Sequence, residues 1–135
     1  MDGCTLNADP FTFDCLIGEF ADISFFAESA LEVGGDYYDF IQPVGRDNGT
    51  YVVIGDVKGK GMAAALYMAR IQALLQYISQ KQLTPSQILI ELNRNVRKIL
   101  TADYFISLLI SHVNSRGQLS FCRAGHLPLV HYDAA

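Results

Sequence analysis

Between Tyr51 and Ile99 the chain changes its local chemistry once and then holds it through two helices in succession. The run YVVIG (Tyr51 to Gly55) is β-branched and apolar, as strands are. Across the turn Gly55-Asp-Val-Lys-Gly-Lys-Gly61 it gives way to Ala, Leu, Met, Gln and Arg as far as Gln80, all good helix formers. Apolar residues cover nearly the whole circumference of this segment, which predicts a largely buried helix. A second helix is marked at its start by Thr84-Pro85-Ser86-Gln87: a Thr cap, a proline at the first helical position and a Gln three residues after the cap. Ile88, Leu92, Val96 and Ile99 follow as one stripe, and Arg94, Arg97 and Lys98 lie near the end, where cations suit the helix dipole. Two consecutive helices between groups of strands are not an alternating βαβ series. This order predicts an α+β fold with a mostly antiparallel sheet whose face the helices cover.

The flanking segments read as strands. DISFFAE (Asp22 to Glu28) is a short buried run, followed by the Gly34-Gly35 pair. DYYDFI (Asp36 to Ile41), the turn-rich Gln42 to Thr50 and YVVIG form a β-hairpin with a long loop. A second hairpin runs from Tyr104 to Val113, turns at Asn114-Ser115-Arg116-Gly117 and returns through Gln118 to Arg123, where Leu119 and Phe121 alternate with polar neighbours. Ala124-Gly125-His126 breaks it, and Leu129 to Tyr132 is expected to begin one more strand after Pro128. Residues 1–21, with Pro10 and Gly18 as breakers, are expected to form an arm or an edge segment ahead of a domain over 22–135.

With 135 residues, 50% hydrophobic and only 18% charged, the chain has the material for one core and is not intrinsically disordered. Its net charge of −4 and the lack of any Lys or Arg run argue against nucleic acid as a partner. Cys4, Cys15 and Cys122 form no CxxC pair, and the start MDGCTLNADP lacks the basic-then-apolar pattern of an export signal. A reducing, cytoplasmic setting is the simplest expectation. The most apolar stretch, Gly61 to Gln80, carries Arg70, Gln72 and Gln76, which argues for a core helix and against a membrane span.

In the first hairpin Asp36 enters one strand and Asp56 leaves its neighbour, so both belong at the same rim of the sheet. Two carboxylates there repel unless a proton or a cation lies between them, and oxygen ligands of this kind suit Mg²⁺ or Mn²⁺. The same residues also suit a turn and a strand end. Asp39 alternates to the other face and is expected to be solvated. The glycine-rich turn after Asp56 fails the phosphate-loop spacing, which excludes a Walker-type NTPase. Lys58 and Lys60 can draw an anionic substrate to the rim or remain solvated charges. His112 and His131 are assigned to structure. His126, at a strand break, can orient a loop, serve as an acid or be held by backbone. No GxSxG nucleophile is present, and Cys122 is read as buried, not catalytic.

Four blocks, EVGGDYYDF (Glu32 to Phe40), VVIGDVKGKGMAAALYMA (Val52 to Ala69), ELN (Glu91 to Asn93) and RAGHLP (Arg123 to Pro128), resemble in order and spacing the stage II sporulation protein E-like branch of the PPM metal-dependent protein serine/threonine phosphatases. The resemblance runs from about Asp22 to the end of the sequence. It implies an antiparallel β-sandwich flanked by helices, with a two-metal Mn²⁺ or Mg²⁺ site in which Asp36, Asp56 and the backbone carbonyl of Val57 are ligands. It also implies hydrolysis of phosphoserine or phosphothreonine on a regulatory protein, of the anti-sigma-antagonist type, by two-metal activation of water and with no protein nucleophile. Lys58, Lys60 and His126 stay candidate loop or substrate contacts by their positions alone, and Lys58 departs from the family, which commonly has a small residue there. The family pattern continues into further strands and a later aspartate block, so these 135 residues are expected to be a C-terminally incomplete domain with weak or no activity by themselves. A phosphatase-like interaction module that kept the fold without the chemistry is the alternative, and open sheet edges would favour homo-oligomers.

Overall fold

A computed structural model describes residues 4–6, 12–17, 21–26, 35–45, 49–100 and 103–133. Strands β1 (Cys4–Leu6), β2 (Thr12–Ile17) and β3 (Ala21–Phe26) form one antiparallel sheet in the order β1-β2-β3. Strands β4 (Asp36–Ile41), β5 (Thr50–Val57), β6 (Ile106–Val113) and β7 (Leu119–Ala124) form a second, in the order β4-β5-β6-β7. Helices α1 (Gly61–Ser79) and α2 (Pro85–Val96) fill the connection from β5 to β6. The expected α+β class and antiparallel pairing are therefore present. Two strands stand in the segment read as an arm or edge, because β1 and β2 continue the sheet begun by β3. Pro10, Gly18 and Gly34 lie outside the described residues.

Alternation along the strands divides the second sheet into two chemically different faces. Tyr37, Ile41, Tyr51, Val53, Val57, Leu108 and Ile110 point to the helices and pack with Ala64, Met68, Ile71, Leu75 and Ile78 of α1 and Ile88, Leu92 and Val96 of α2. On the other face Val113 packs with Phe40, Val52 and, from the first sheet, Ile23. The result is sheet on sheet on helices.

The start of α2 is as the sequence predicts. Thr84 Oγ1 accepts from the Gln87 amide while the Gln87 side chain accepts from the Thr84 amide, with Pro85 at the first position. Ile88, Leu92 and Val96 are buried; Ile99 falls past the helix end and is half-buried. The expectation for α1 needs correction. Its buried residues recur at three- and four-residue spacing along one side, whereas Met62, Leu66 and Tyr77 are exposed. A helix lying on the outside of a sheet has one face to bury, and Ala- and Leu-rich composition reports helix propensity more than burial. One further expectation changes: Leu127 to Asp133 is coil where a last strand was expected. Leu119 and Phe121 alternate as read and are exposed, since they face away from the helices.

Polar contacts tie the helix layer to the sheet. The Tyr51 hydroxyl donates to the Leu83 carbonyl at 2.6 Å, between the helices. Gln80 Oε1 accepts from the Val44 amide, and Gln82 Nε2 donates to the Val44 carbonyl, both at 3.0 Å, so the turn after α1 clasps the β4–β5 loop. Asp39 does face away from Asp36, but it is not merely solvated: the Tyr37 hydroxyl donates to it at 2.8 Å and Gln76 of α1 at 3.1 Å.

Two measurements check this layer. In urea denaturation Ile110→Ala is expected to lose about 2–5 kcal/mol, because the side chain is fully buried under the helices, and Leu66→Ala to stay within about 0.5 kcal/mol. Burial, reinforced by the charge of Asp39 and its hydrogen bond, pushes the Tyr37 phenol well above the ordinary tyrosine range. A raised folded-state pKa contributes stability that is complete below the unfolded value, about 10, and declines as pH rises beyond it. The alkaline loss of stability above about pH 10 should be shallower in Tyr37→Phe.

Candidate functional site

The β4–β5 ladder sets Asp36 directly opposite Asp56. At the next position the Val57 amide donates to the Gly35 carbonyl at 3.1 Å, which makes Gly35 and Val57 the hydrogen-bonded pair. In an antiparallel ladder the two kinds of pair alternate, so Asp36 and Asp56 form a non-hydrogen-bonded pair, the closer kind, with Cα atoms about 4.5 Å apart and side chains on one face. Both are exposed at the rim. The hairpin argument from the sequence thus brings together the two residues it named.

Val57 joins them through its backbone. Its amide and carbonyl both turn toward β4, and a Cβ added at Gly35 would stand 2.6 Å from the Val57 oxygen. Only glycine lets the two backbones approach this closely. Two carboxylates open to solvent and, beside them, the carbonyl oxygen of the buried Val57 are the kind of oxygen donors that Mg²⁺ or Mn²⁺ takes from protein while retaining waters. Among the described residues no group of three or more His, Cys, Asp or Glu side chains stands at metal-binding spacing.

The rung continues onto β6. Asp56 pairs with Ser107, so Asp36, Asp56 and Ser107 lie in a row across three strands. Ser107 Oγ is 2.9 Å from His126 Nδ1. Arg123 Nη1 donates to the His126 carbonyl at 2.8 Å, and Gly125, at φ 66°, makes the intervening turn. His126 therefore stands at the carboxylate rim. Ser107 was not singled out from sequence, because its neighbour Asp56 is far away along the chain and only the β5–β6 register joins them.

Other candidates lie elsewhere. Lys58 is anchored by its amide to the Phe105 carbonyl at 2.9 Å, with its ammonium 5.6 Å from the centre of the Phe105 ring. Lys60 is exposed at the entrance of α1. His112 stacks on Tyr51 with ring centres 4.5 Å apart, as a structural residue does, and His131 is exposed in the coil after β7. Cys122 is half-buried on the helix side. It lines a groove of about 640 Å³ between α2 and β6–β7, together with Leu89, Val96, Leu100 and Phe105. That groove is on the face opposite the carboxylates. No helix among the described residues is long and apolar enough to cross a membrane.

Comparison with known proteins places the chain in a family. The family model described as stage II sporulation protein E matches residues 46–135, a span that holds Asp56, Val57, Ser107 and His126. Phosphoserine phosphatase RsbU of Bacillus subtilis (strain 168) is 34% identical over 116 residues, covering 85% of this chain and 34% of that protein. Phosphoserine phosphatase RsbP of the same organism is 24% identical over 124 residues, 87% of this chain and 30% of its own. The chain spans about a third of the length of these curated relatives. The crystal structure of the RsbU and RsbW domains of Rv1364c from Mycobacterium tuberculosis superposes with a TM-score of 0.61 at 22% identity, over 74% of this chain and 27% of that one, a likeness of fold.

The close approach at Gly35 can be tested directly. Gly35→Ala puts a methyl against a backbone oxygen that has no rotamer to yield, so the ladder must shift. A loss of about 1–3 kcal/mol in urea denaturation is expected, with weaker Mn²⁺ binding by calorimetry. Unchanged metal affinity would separate the Val57 carbonyl from the site.

Proposed function

The chain belongs to the stage II sporulation protein E family, and from that premise we propose that it carries part of a metal-dependent protein serine/threonine phosphatase site acting on a phosphorylated regulatory protein. The observation that carries this proposal is the register that sets Asp36 opposite Asp56, with the Val57 carbonyl beside them. The substrate class is a phosphoserine or phosphothreonine on a protein of the anti-sigma-antagonist type, in keeping with relatives named phosphoserine phosphatases.

Asp36, Asp56 and the Val57 carbonyl would hold Mn²⁺ or Mg²⁺. When bound, such cations supply Lewis acidity that activates water and offsets charge on the phosphoryl group. The chain's own residues do the rest. The exposed rung leaves the rim open to a phosphorylated side chain, and the buried helix face beneath fixes the spacing of the carboxylates. Hydrolysis here requires no protein nucleophile: water supplies the new oxygen on phosphorus, and the serine or threonine hydroxyl departs with a proton.

Millimolar Mn²⁺ should raise the melting temperature of the chain, by the equivalent of about 2.7 kcal/mol at a hundred times Kd. Asp56→Asn should remove most of that shift. Release of phosphate from a phosphoserine peptide is expected to be slow with these residues alone, dependent on Mn²⁺, and lowered by roughly a hundredfold in the same variant. Neither a metal-dependent shift nor turnover would assign the chain to the non-catalytic interaction role instead. Turnover untouched by Asp56→Asn would remove this site from the chemistry.

A further inference from the structure

His126 is a loop residue held by three separate constraints. Ser107 Oγ engages its Nδ1 at 2.9 Å, Arg123 fixes its carbonyl at 2.8 Å, and the turn at Gly125 is bridged to Leu108 of β6. Solvated turn histidines need none of these. In a neutral imidazole one ring nitrogen donates and the other accepts, and the bond made by one fixes the role of the other. A serine hydroxyl donating to Nδ1 leaves the proton on Nε2 and makes that atom a donor. Ser107 is on the same face and rung as the two carboxylates, one strand spacing, about 4.8 Å, from Asp56. The imidazole is therefore anchored at the rim that carries Asp36 and Asp56, and in the tautomer in which Ser107 donates to Nδ1 its Nε2–H is a free donor there.

We propose that Ser107 and His126 form the phosphoryl-recognition arm of the site: Ser107 is the positioning residue, and His126 Nε2–H donates a hydrogen bond to an oxygen of the phosphate monoester. This rests on the phosphatase function proposed above and adds to it the residue that holds the substrate from the side opposite Asp36. The ligand class is a phosphate monoester of serine or threonine. Inorganic phosphate shares the chemistry but not the peptide contacts.

The test is ring-nitrogen NMR of the whole chain, labelled at histidine and backbone nitrogen, with Mg²⁺ at about pH 8.5, where an ordinary imidazole is neutral. His126 should be the Nε2–H tautomer, and Ser107→Ala should convert it to a mixture while the β-ladder amide signals stay in place. A phosphoserine peptide should move Nε2 of His126 together with the Asp36 and Asp56 amides, and inorganic phosphate should do the same at higher concentration. His126→Ala should weaken peptide binding by about tenfold, as loss of a hydrogen bond to a charged group does, and His126→Gln should recover part of it. A wild-type Nδ1–H tautomer, peptide binding equal in His126→Ala, or movement at Asp36 and Asp56 with Nε2 unmoved would each overturn the inference and leave the phosphatase reading standing. Movement at neither place would remove both.

Discussion

The β4–β5 register is the constraint on which the rest depends. Side chains alternate with period two, so a slip of one residue would send Asp36 to the helix face, where Tyr37 and Ile41 now pack, and bury a charge in an apolar core. The cost of that slip is what fixes the carboxylate pair. Hydrophobic patterning and site geometry are here one interaction: Tyr37 and Ile41 inside require Asp36 outside. Gly35 and Gly55 then admit two close approaches near this same end of the hairpin, to the Val57 oxygen and to the Leu108 side chain.

This coupling explains why the helices matter to a site they do not touch. Met68, Ile71, Leu75 and Ile78 of α1 seal the face that holds Tyr37, Val53 and Val57 in place, and Gln76 reaches Asp39 on the first strand of the hairpin. Gln80 and Gln82 clasp Val44 at the hairpin's far end. The chain enters α1 only a few residues after Asp56, so the helix is anchored to the hairpin at both ends. The carboxylates gain a rigid base without giving up their exposure to solvent.

Legibility followed locality. The capping box at Thr84, the first hairpin and its two aspartates were readable because each signal lies within a short stretch of sequence. Ser107 was not, because its place beside Asp56 depends on a strand pairing that closes only after two helices have intervened, and nothing in YFISLLIS states its register. Composition also misled in a definite way. The all-round apolar pattern of α1 suggested burial, but a one-sided layer leaves Met62, Leu66 and Tyr77 in solvent. Leu119 and Phe121 were legible as alternation but not as a direction, since two-residue periodicity identifies a face without saying which partner covers it.

The two faces of the sheet consequently answer to different demands. Substitutions on the helix face change how well the carboxylates are held, and they act through stability before chemistry. Substitutions along the Asp36, Asp56 and Ser107 rung change charge or hydrogen bonding at the rim, where burial is slight and little packing energy is at stake. A polar row on an exposed rim gains no stability from two adjacent carboxylates, which repel each other. Their juxtaposition therefore contributes nothing to the bare fold, and it suits a role in which a cation lies between them. That asymmetry, more than the presence of any single residue, is what supports the proposed reading of the rung as a site: the packed face is accounted for by folding, whereas the exposed carboxylate pair adds nothing to it.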